Sequence, residues 1–480
     1  MLRTQAPGVS LWEAVLPEEV LRLPAELARV DALLLDDPAF FAPFVPFFDP
    51  RLGRPSTPME VYLRLMFLKF RYKLGYEGLC REVSDSITWR RFCRIPLDGQ
   101  VPHPTTLMKL TTRCGTAAVD GCNEALLAKA AEVKLLRTSR LRADTTVVPA
   151  DVAYPTDSGL LAKAVRRIAA AGRRVQAAGG ATRTRVRDRS RGAGRRAREI
   201  GAKLRLRGTQ ARDEAQAVVR RVTGELAALA ERAAAEAEQL LVNARRALRR
   251  AQTKAGELAA AGSQDAAAGR RRGRLRRAID DLTGLLEATR RIAAQTRQRL
   301  SGTTPDGATR RVSLHDGDAR PIAKGRLGKP VEFGYKGQVV DNDDGIVLDH
   351  TVERGNPADA PQLAPAVQRV IRRTGRRPRT VTADRGYGET AVENDLEQLG
   401  VRNVVIPRKG RPGKARQARE RRPGFRKTVK WRTGSEARIS TLKRQYGWDR
   451  SRLDDLDGAR IWTGHGVFAH NLVKIATLAG

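Results

Sequence analysis

Apolar positions recur at helical spacing through the first 140 residues, and turn signals divide them into short elements. Thr57 opens a capping sequence (TPME) ahead of an apolar run, which predicts a helix from there to about residue 73. Small polar turns then separate a helix near residues 79 to 83, one at 87 to 92 and one after Pro104. Such a series is typical of a helix-turn-helix DNA-binding domain and also of an ordinary helical bundle.

Strand patterns follow, on both sides of a long segment of different amino-acid composition. Alternating β-prone residues predict a strand at 141 to 148 and, much later, a hairpin that turns at Gly345. The elements predicted after it are a helix at 360 to 371, a strand at 379 to 383, a helix from Thr390 to Gly400, a strand at 401 to 406 and a helix at 435 to 446. This order predicts a mixed-sheet α/β domain interrupted by an inserted module.

The inserted segment has no Phe, Trp or Tyr between residues 155 and 332, so it lacks the usual material of a globular core. Small and aliphatic residues recur at three- and four-residue steps from 222 to 251 and again from 275 to 286. This pattern predicts two helical arms that pack antiparallel after breaks at Gly262-Ser263 and Gly269, as a helical hairpin or coiled coil. We expect the Gly/Arg-rich residues 179 to 207 to be disordered without a ligand.

Charge is the strongest compositional signal. The 480 residues include 90 Lys+Arg against 53 Asp+Glu, a net charge of +37, while 41% apolar residues exclude a wholly disordered chain. Residues 161 to 300 carry +22 of this excess and residues 408 to 432 carry +11. Because solvated faces usually alternate in sign, one-sided excess of this size indicates contact with a polyanion, with nucleic acid as the leading candidate.

Cysteine, histidine and hydropathy patterns exclude several classes of protein. Four cysteines form no C-x-x-C pair and five histidines show no metal spacing, so we expect reduced thiols in a cytosol and no zinc finger. The acidic run that ends at Gly345 is not a calcium loop, because its first ligand position would be Val340 and its twelfth Thr351. No run of eighteen apolar residues occurs, so we expect a protein that is neither secreted nor membrane-spanning.

Three acids could meet at one site. Asp144 lies in the first strand, Asp384 at the end of a later strand, and Glu436 in the predicted first turn of a helix. Each alone has an ordinary structural interpretation: a solvent-facing strand residue, a turn residue and a helix-start residue. Converging carboxylates repel one another unless a cation lies between them, and Mg²⁺ or Mn²⁺ suits oxygen ligands. Two such ions, roughly 4 Å apart, suit phosphodiester chemistry.

These blocks resemble the DDE-type transposases of bacterial insertion sequences, whose catalytic domain is ribonuclease-H-like. The sequence DTTV at 144 to 147 is similar to the family's first-aspartate strand, and ADRGY at 383 to 387 to its second. Arg432, Glu436 and Lys443, spaced R-x3-E-x6-K, resemble its third block. The three blocks occur in the family's order, which is more specific than any one of them.

The resemblance extends beyond the acids. Residues 41 to 109 are similar to the helical domain that precedes many such catalytic domains, and residues 466 to 472 to a familiar final helix. Gly355-Asn356 and Asp359 also look like family positions. Relatives with a Y-R-E-K tetrad carry a tyrosine three residues before the arginine, where this chain has Val429.

The resemblance implies a transposase that binds terminal inverted repeats, nicks the 3′ ends and joins them to target DNA. Asp144, Asp384 and Glu436 would be catalytic and would hold two Mg²⁺ (or Mn²⁺) ions. DNA would be bound by a set of basic residues: Arg385, Arg408, Lys409, Arg432 and Lys443. It further implies double-stranded DNA as partner, a homodimer or higher oligomer when two ends are joined, and a place in the bacterial cytoplasm at the nucleoid.

The predicted fold is therefore α/β, a ribonuclease-H-like mixed sheet with a helical N-terminal domain and a long basic helical or coiled-coil insertion. Its predicted domains are a helical DNA-binding domain (1 to 138), a catalytic domain (139 to 157 with 328 to 480) and the insertion (158 to 327). Two alternatives remain open: a catalytically inactive DNA-binding protein derived from such an enzyme, and a basic coiled-coil protein that compacts nucleic acid. Trp431 and Trp448 suit core packing or base stacking.

Overall fold

The chain forms two compact units, one of which interrupts the other in sequence. The computed structural model describes residues 1–6, 15–35, 37–205, 209–260, 265–324 and 330–480. The first unit comprises Met1–Asp151 with Arg326–Gly480, and the second comprises Val152–Gly325. The helical N-terminal segment and the later α/β segment therefore belong to one unit.

The first unit begins with helices. They are α1 (Glu18–Leu21), α2 (Ala25–Leu34), α3 (Met59–Arg71), α4 (Tyr76–Asp85), α5 (Ile87–Phe92) and α6 (Pro104–Glu132). The helices predicted from apolar spacing are confirmed, and Ser86 caps α5 by accepting a hydrogen bond from the Trp89 amide at 3.2 Å. The cap predicted at Thr57 is wrong, because α3 begins at Met59 without a side-chain cap and Glu60 instead accepts a hydrogen bond from the Ala6 amide. Tertiary contact thus replaces the local cap.

Strand β1 (Arg140–Pro149) ends the first part of this unit, and the second unit is mainly helical. Its elements are α7 (Asp157–Ala177), α8 (Ser190–Lys203), α9 (Thr209–Ala260), α10 (Ala266–Leu300) and the short strand β2 (Arg320–Ala323). The long helices run antiparallel: Glu231 of α9 pairs with Arg297 of α10, whereas Arg245, later in α9, donates to Thr283, earlier in α10, at 3.0 Å. The predicted antiparallel arms are therefore observed.

The core of the second unit is aliphatic, made of Leu, Ile, Val and Ala side chains with no aromatic ring. Seam positions such as Val222, Leu226 and Leu240 are fully buried. The disorder expected between residues 179 and 207 is wrong for 190 to 203, which form α8 and bury Ala193 and Ile200. The break predicted at Gly262-Ser263 lies outside the described residues, and the one predicted at Gly269 is wrong, because Gly269 lies within α10.

The first unit resumes with the rest of its sheet. The strands are β3 (Val331–Asp341), β4 (Val347–Arg354), β5 (Thr380–Thr382) and β6 (Asn403–Val405). Within this unit the order is β4-β3-β1-β5-β6, with β3 antiparallel to β4 and β1, and β5 parallel to β1 and β6. The predicted hairpin is confirmed, and Gly345 adopts a φ of +77° in its turn. The sheet is therefore mixed, as predicted.

Five helices complete the unit: α11 (Ala360–Thr374), α12 (Thr390–Gln398), α13 (Lys414–Arg421), α14 (Pro423–Gln445) and α15 (Asp455–Ala479). Two sequence predictions are wrong here. Thr390 starts α12 but does not cap it. Helix α14 begins twelve residues before the predicted residue 435, so Glu436 lies in its second half rather than in its first turn.

One hydrophobic core joins the N-terminal helices to the sheet segment. Helix α15 is buried along most of its length and presents aromatic rings to the N-terminal helices. Phe468 contacts Phe40 at 6.2 Å between ring centroids, and Trp462 contacts Phe70 at 4.8 Å. All four cysteines are buried and free, in agreement with reduced thiols. In the described ranges, no helix combines the length and apolar character needed to cross a membrane.

Candidate active site

The sheet places Asp144 and Asp384 beside each other. Strands β1 and β5 are parallel, with Arg140 opposite Thr380 and Arg142 opposite Thr382. The same offset, carried two residues beyond the end of β5, sets Asp144 opposite Asp384. Neighbouring strands lie about 4.8 Å apart, so this register brings the carboxyl groups of Asp144 and Asp384 close together.

Asp384 forms a tight turn that brings a further acid close. Its carboxylate accepts a hydrogen bond from the Gly386 amide at 2.8 Å. A Cβ atom on Gly386 would lie 2.9 Å from Asp384 Oδ1 and 3.3 Å from Asp359 Oδ2, so only glycine leaves both carboxylates undisturbed. Asp359, just before α11, is ion-paired with Lys336 Nζ at 2.7 Å.

The surroundings of Asp144 disfavour its ionised form. Its side chain is only 13% exposed, and its Oδ1 accepts a hydrogen bond from the Thr145 amide at 2.8 Å. Burial is the main cause that raises the pKa of Asp144 to about 6; the charges of Asp384 and Glu436 add to the increase, and the Thr145 amide and Arg432 oppose it. The carboxylate is therefore buried among like charges with incomplete compensation.

Helix α14 carries the third acid, Glu436, together with Arg432, which contacts it. Arg432 and Glu436 are four residues apart, so they share one face of the helix. The Arg432 guanidinium lies 3.3 Å from Asp144 Oδ2 and 3.0 Å from Glu436 Oε1. Glu436 itself is 62% exposed. Two of the three predicted acids thus contact one guanidinium, and the charge of the third, Asp384, acts on Asp144.

A second buried acid fixes the position of α14. Asp341, at the end of β3, is completely buried and accepts two hydrogen bonds from Arg142, at 2.9 and 2.8 Å. It also accepts from Ser435 at 3.2 Å and from Arg438 at 3.4 Å. A Cβ atom on Gly434 would lie 2.0 Å from Arg142 Nη1, so glycine allows the helix to approach the strand.

Sequence reasoning missed this network. Its signal was Arg142, a charged residue inside a strand whose neighbours are apolar, and Asp341, at the end of an equally apolar strand. The predicted aromatic residues have different environments. Trp448 is fully buried and donates to the Thr463 carbonyl, so its packing interpretation holds. Trp431 lies against the guanidinium groups of Arg140 and Arg142, at 4.4 and 4.7 Å.

The predicted DNA contacts surround the acids unevenly. Arg385 is exposed in the turn that follows Asp384. Lys409 touches this turn through its amide, which donates to the Gly388 carbonyl at 2.9 Å, while its Nζ is paired with Glu389 at 2.7 Å. The Arg408 amide donates to Glu420. Lys443 lies on α14, two turns after Glu436. Arg432 faces the acids and is only 15% exposed.

The residues present are compatible with divalent metal ions in chemical type. Carboxylate oxygens are the ligands that Mg²⁺ and Mn²⁺ prefer, and the raised pKa of Asp144 marks a place where added positive charge is stabilising. Within the part of the chain that the structure describes, however, no three Asp, Glu, His or Cys side chains meet closely enough to hold an ion. The guanidinium of Arg432 lies between two of the predicted ligands.

Comparison with protein families shows which family this chain belongs to. Residues 16–113 match the model described as Transposase domain (DUF772), and residues 302–472 match the model described as Transposase DDE domain. The chain belongs to the DDE-type transposases of insertion sequences. The second match includes Asp384 and Glu436, whereas Asp144 precedes it, on the other side of the inserted unit. DDE transposases generally use divalent metal ions.

One curated relative is similar to part of this transposase. It is the uncharacterized protein ORF8 in the nfe locus of Rhizobium meliloti, 26% identical over 132 residues, which are 25% of this chain and 61% of the relative. The chain thus spans about three fifths of the relative's length. No solved structure matches the chain.

Proposed function

We propose that this chain is a DNA transposase of a bacterial insertion sequence, which binds terminal inverted repeats and catalyses metal-dependent DNA cleavage and strand transfer. The observation that carries the proposal is that Arg432 contacts both Asp144 and Glu436, while the charges of Asp384 and Glu436 both act on Asp144. We assign this sheet, with its antiparallel strands β4, β3 and β1 beside the parallel strands β5 and β6, to the ribonuclease-H-like type.

Asp144, Asp384 and Glu436 are the proposed ligands of two Mg²⁺ or Mn²⁺ ions. Bound ions would supply the Lewis acid that activates the attacking oxygen and neutralises charge on the phosphate. The chain's own groups prepare this site. The sheet register fixes Asp144 beside Asp384, and the Asp341 network holds α14 so that Glu436 faces them.

Arg432 has two successive roles in this proposal. In the present structure its guanidinium compensates part of the negative charge of Asp144 and Glu436. With metal ions held by these acids, the Arg432 guanidinium would be available to bind a DNA phosphate, for which its planar set of donors is suited. The acids therefore remain compensated before and after DNA binds.

The basic segments supply the proposed grip on the DNA backbone. Residues 161 to 300 carry a net charge of +22 and residues 408 to 432 carry +11, so both attract phosphate without reading sequence. Arg385, Arg408, Lys409 and Lys443 are the proposed phosphate contacts within the unit that carries the acids. Joining two element ends requires two bound DNA ends, for which a homodimer or larger assembly is the simplest arrangement.

A strand-transfer assay tests the proposal. The full-length protein is mixed with duplexes that carry the inverted repeats flanking its own gene, and joining is measured with Mg²⁺ and with chelator. Asp384→Asn is expected to lower joining by about 10³-fold or more, while end binding is unchanged, because the amide keeps the shape but loses the charge that a cation needs.

Asp395→Asn, at an exposed position of α12, is the matched control and should join ends like the wild type. Full joining by Asp384→Asn would refute the assigned site. End-specific binding without any Mg²⁺-dependent joining by the wild type would indicate a catalytically inactive derivative. Binding indifferent to end sequence, in competition with random duplex at fixed salt, would indicate a nucleic-acid-compacting protein.

A further inference from the structure

A cationic cavity lies in the first unit, away from the three acids. It has a volume of about 290 Å³ and lies between α3, residues 447 to 452 and α15. Four basic side chains line it: Lys69, Lys73, Arg450 and Arg452. Asp449 is the one acid in its lining. Neither the family matches nor the proposed catalytic site explains why so many cations converge here.

Lys69 is the unusual member of this cavity. It is 2% exposed, on a helix that is buried along nearly its whole length. Its ammonium lies 4.0 Å from the ring centre of Trp462, 4.5 Å from that of Phe70 and 4.7 Å from that of Tyr76. Among the described residues, no carboxylate or carbonyl group accepts a hydrogen bond from it. Aromatic rings alone compensate for its lost hydration.

Arg452 faces the same space and is exposed, with no carboxylate partner among the described residues. The two other cations are already paired: Lys73 with Asp449 at 2.7 Å, and Arg450 with Asp151 at 3.2 Å. Burial, with a smaller contribution from repulsion by Arg452, lowers the pKa of Lys69 to about 7. Two uncompensated positive charges therefore share one cavity.

We propose that this cavity binds a phosphate group between Lys69 and Arg452, and that the phosphate belongs to the backbone of DNA held by the transposase. An anion between the two side chains would replace their repulsion by two charge-assisted contacts. The assignment of this phosphate to DNA rests on the proposed function. It is favoured because Arg450 and Arg452 are exposed and extend the positive surface of the cavity outward, where a DNA backbone can contact it. Free phosphate has the same chemistry and is the other source.

The site has a built-in pH dependence. Protonated Lys69 is the form that binds phosphate, so binding is strongest below pH 7 and weakens as the pH rises through that value. Burial, with nearby Lys69, lowers the pKa of His465 to about 3, and burial raises the pKa of Tyr76, so neither changes charge between pH 6 and 8. The remaining charged groups around the cavity are Lys73, Asp449, Arg450 and Arg452.

Duplex binding by the full-length protein tests the proposal. Fluorescence anisotropy with a labelled element-end duplex is measured over a salt series for Lys69→Met, Arg452→Gln, the double variant and the control Arg29→Gln, an exposed cation of α2. Each cavity variant is expected to weaken binding about fivefold to tenfold and to reduce the slope of log K against log salt by about one. The double variant should lose little more, because both residues hold one phosphate.

Lys69→Met keeps an unbranched apolar stem among the aromatic rings, so the fold should persist, and thermal unfolding verifies this. Wild-type affinity should fall severalfold more between pH 6 and 8 than that of Lys69→Met, since the phosphodiester charge does not change over this range and the titration of Asp144 is common to both proteins. Cavity variants that bind DNA like Arg29→Gln, with unchanged slope and pH profile, would overturn the DNA assignment.

A second measurement separates this inference from the proposed function. Thermal unfolding of wild type and Lys69→Met is compared in inorganic phosphate and in chloride at equal ionic strength. Selective stabilisation of the wild type by phosphate supports the anion site even if the protein does not bind DNA, an outcome that would refute both the DNA source and the transposase function. Equal responses of the two proteins, together with unchanged DNA binding, would refute the site itself.

Discussion

Two buried aspartates lie on neighbouring strands beside the same helix, yet their surroundings differ. Asp341 on β3 is completely buried and receives hydrogen bonds from Arg142, Ser435 and Arg438. Asp144 on β1 receives one from the Thr145 amide and a longer one, at 3.3 Å, from Arg432. The charges of two other acids, Asp384 and Glu436, contribute to the raised pKa of Asp144.

This contrast shows that two aspartates in one part of the sheet serve different purposes: Asp341 stabilises the fold, and Asp144 is a proposed catalytic residue. A buried carboxylate with several donors is stable where it lies, and removing it leaves buried cations unpaired. A buried carboxylate among like charges is held there by the fold against its own electrostatics, which is common at functional sites. Helix α14 connects the two, because Ser435 binds Asp341 while Glu436, the next residue, is the proposed ligand.

Asp341→Asn is expected to have the largest effect on stability. It leaves Arg142 and Arg438 without a buried counter-charge, which should lower the free energy of unfolding by about 3 kcal/mol or more. All five tryptophans lie outside residues 152 to 325, so denaturant unfolding followed by tryptophan fluorescence reports on the first unit. Asp343→Asn, whose partner Arg140 is 44% exposed, is the control and should cost less than about 1 kcal/mol. Equal effects would remove the distinction between the network and a surface ion pair.

Gly434→Ala tests whether the Asp341 network positions α14. The added methyl group would overlap the Arg142 guanidinium, which its hydrogen bonds hold in place. We expect a loss of about 1–3 kcal/mol in the same unfolding experiment, together with reduced strand transfer, because α14 carries Glu436. Gly424→Ala, near the start of α14 with open space around it, is the matched control. Unchanged stability and joining would show that α14 tolerates displacement.

Asp144→Asn should act in the opposite direction on stability. The pKa of Asp144 is raised to about 6, so at pH 8 the folded protein holds an ionised carboxylate in an unfavourable place. The amide should stabilise the metal-free protein by about 1–2 kcal/mol at pH 8. This gain should shrink as the pH falls through 6 and vanish below about pH 4, where the carboxyl group is protonated in both states. Strand transfer should be lost. A destabilised variant at pH 8 would place Asp144 in the same class as Asp341.

Glu231→Gln in the second unit should have the smallest effect. Its partner Arg297 is 51% exposed, so water and salt already compensate both charges. Hydrogen exchange of α9 and α10 peptides should change by less than about 0.5 kcal/mol of opening free energy. A larger change would mean that exposed ion pairs, rather than the aliphatic seam, hold the two arms together.

Local sequence patterns predicted most elements of the fold but not their ends. The Ser86 cap, the hairpin turn at Gly345 and the antiparallel arms of the second unit are confirmed, since each depends on residues close in sequence or on a regular repeat. The caps predicted at Thr57 and Thr390 are wrong, and α14 begins well before residue 435. Helix ends depend on which groups the neighbouring segments of the chain supply. Glu60 is an example, because its side chain accepts a hydrogen bond from the Ala6 amide rather than from the start of its own helix.

The sequence by itself determined the order of the elements, the concentration of positive charge in two segments and the three acidic blocks. Only the tertiary structure decided which acids are paired and which are not. Arg142 and Asp341 are 199 residues apart, and Asp144 and Arg432 are 288 apart. Local propensity carries no information over such separations, because it is the sheet register and the docking of α14 that bring these groups together. The sequence could not predict the cavity around Lys69 for the same reason, because its aromatic rings and cations come from three separate stretches of the chain.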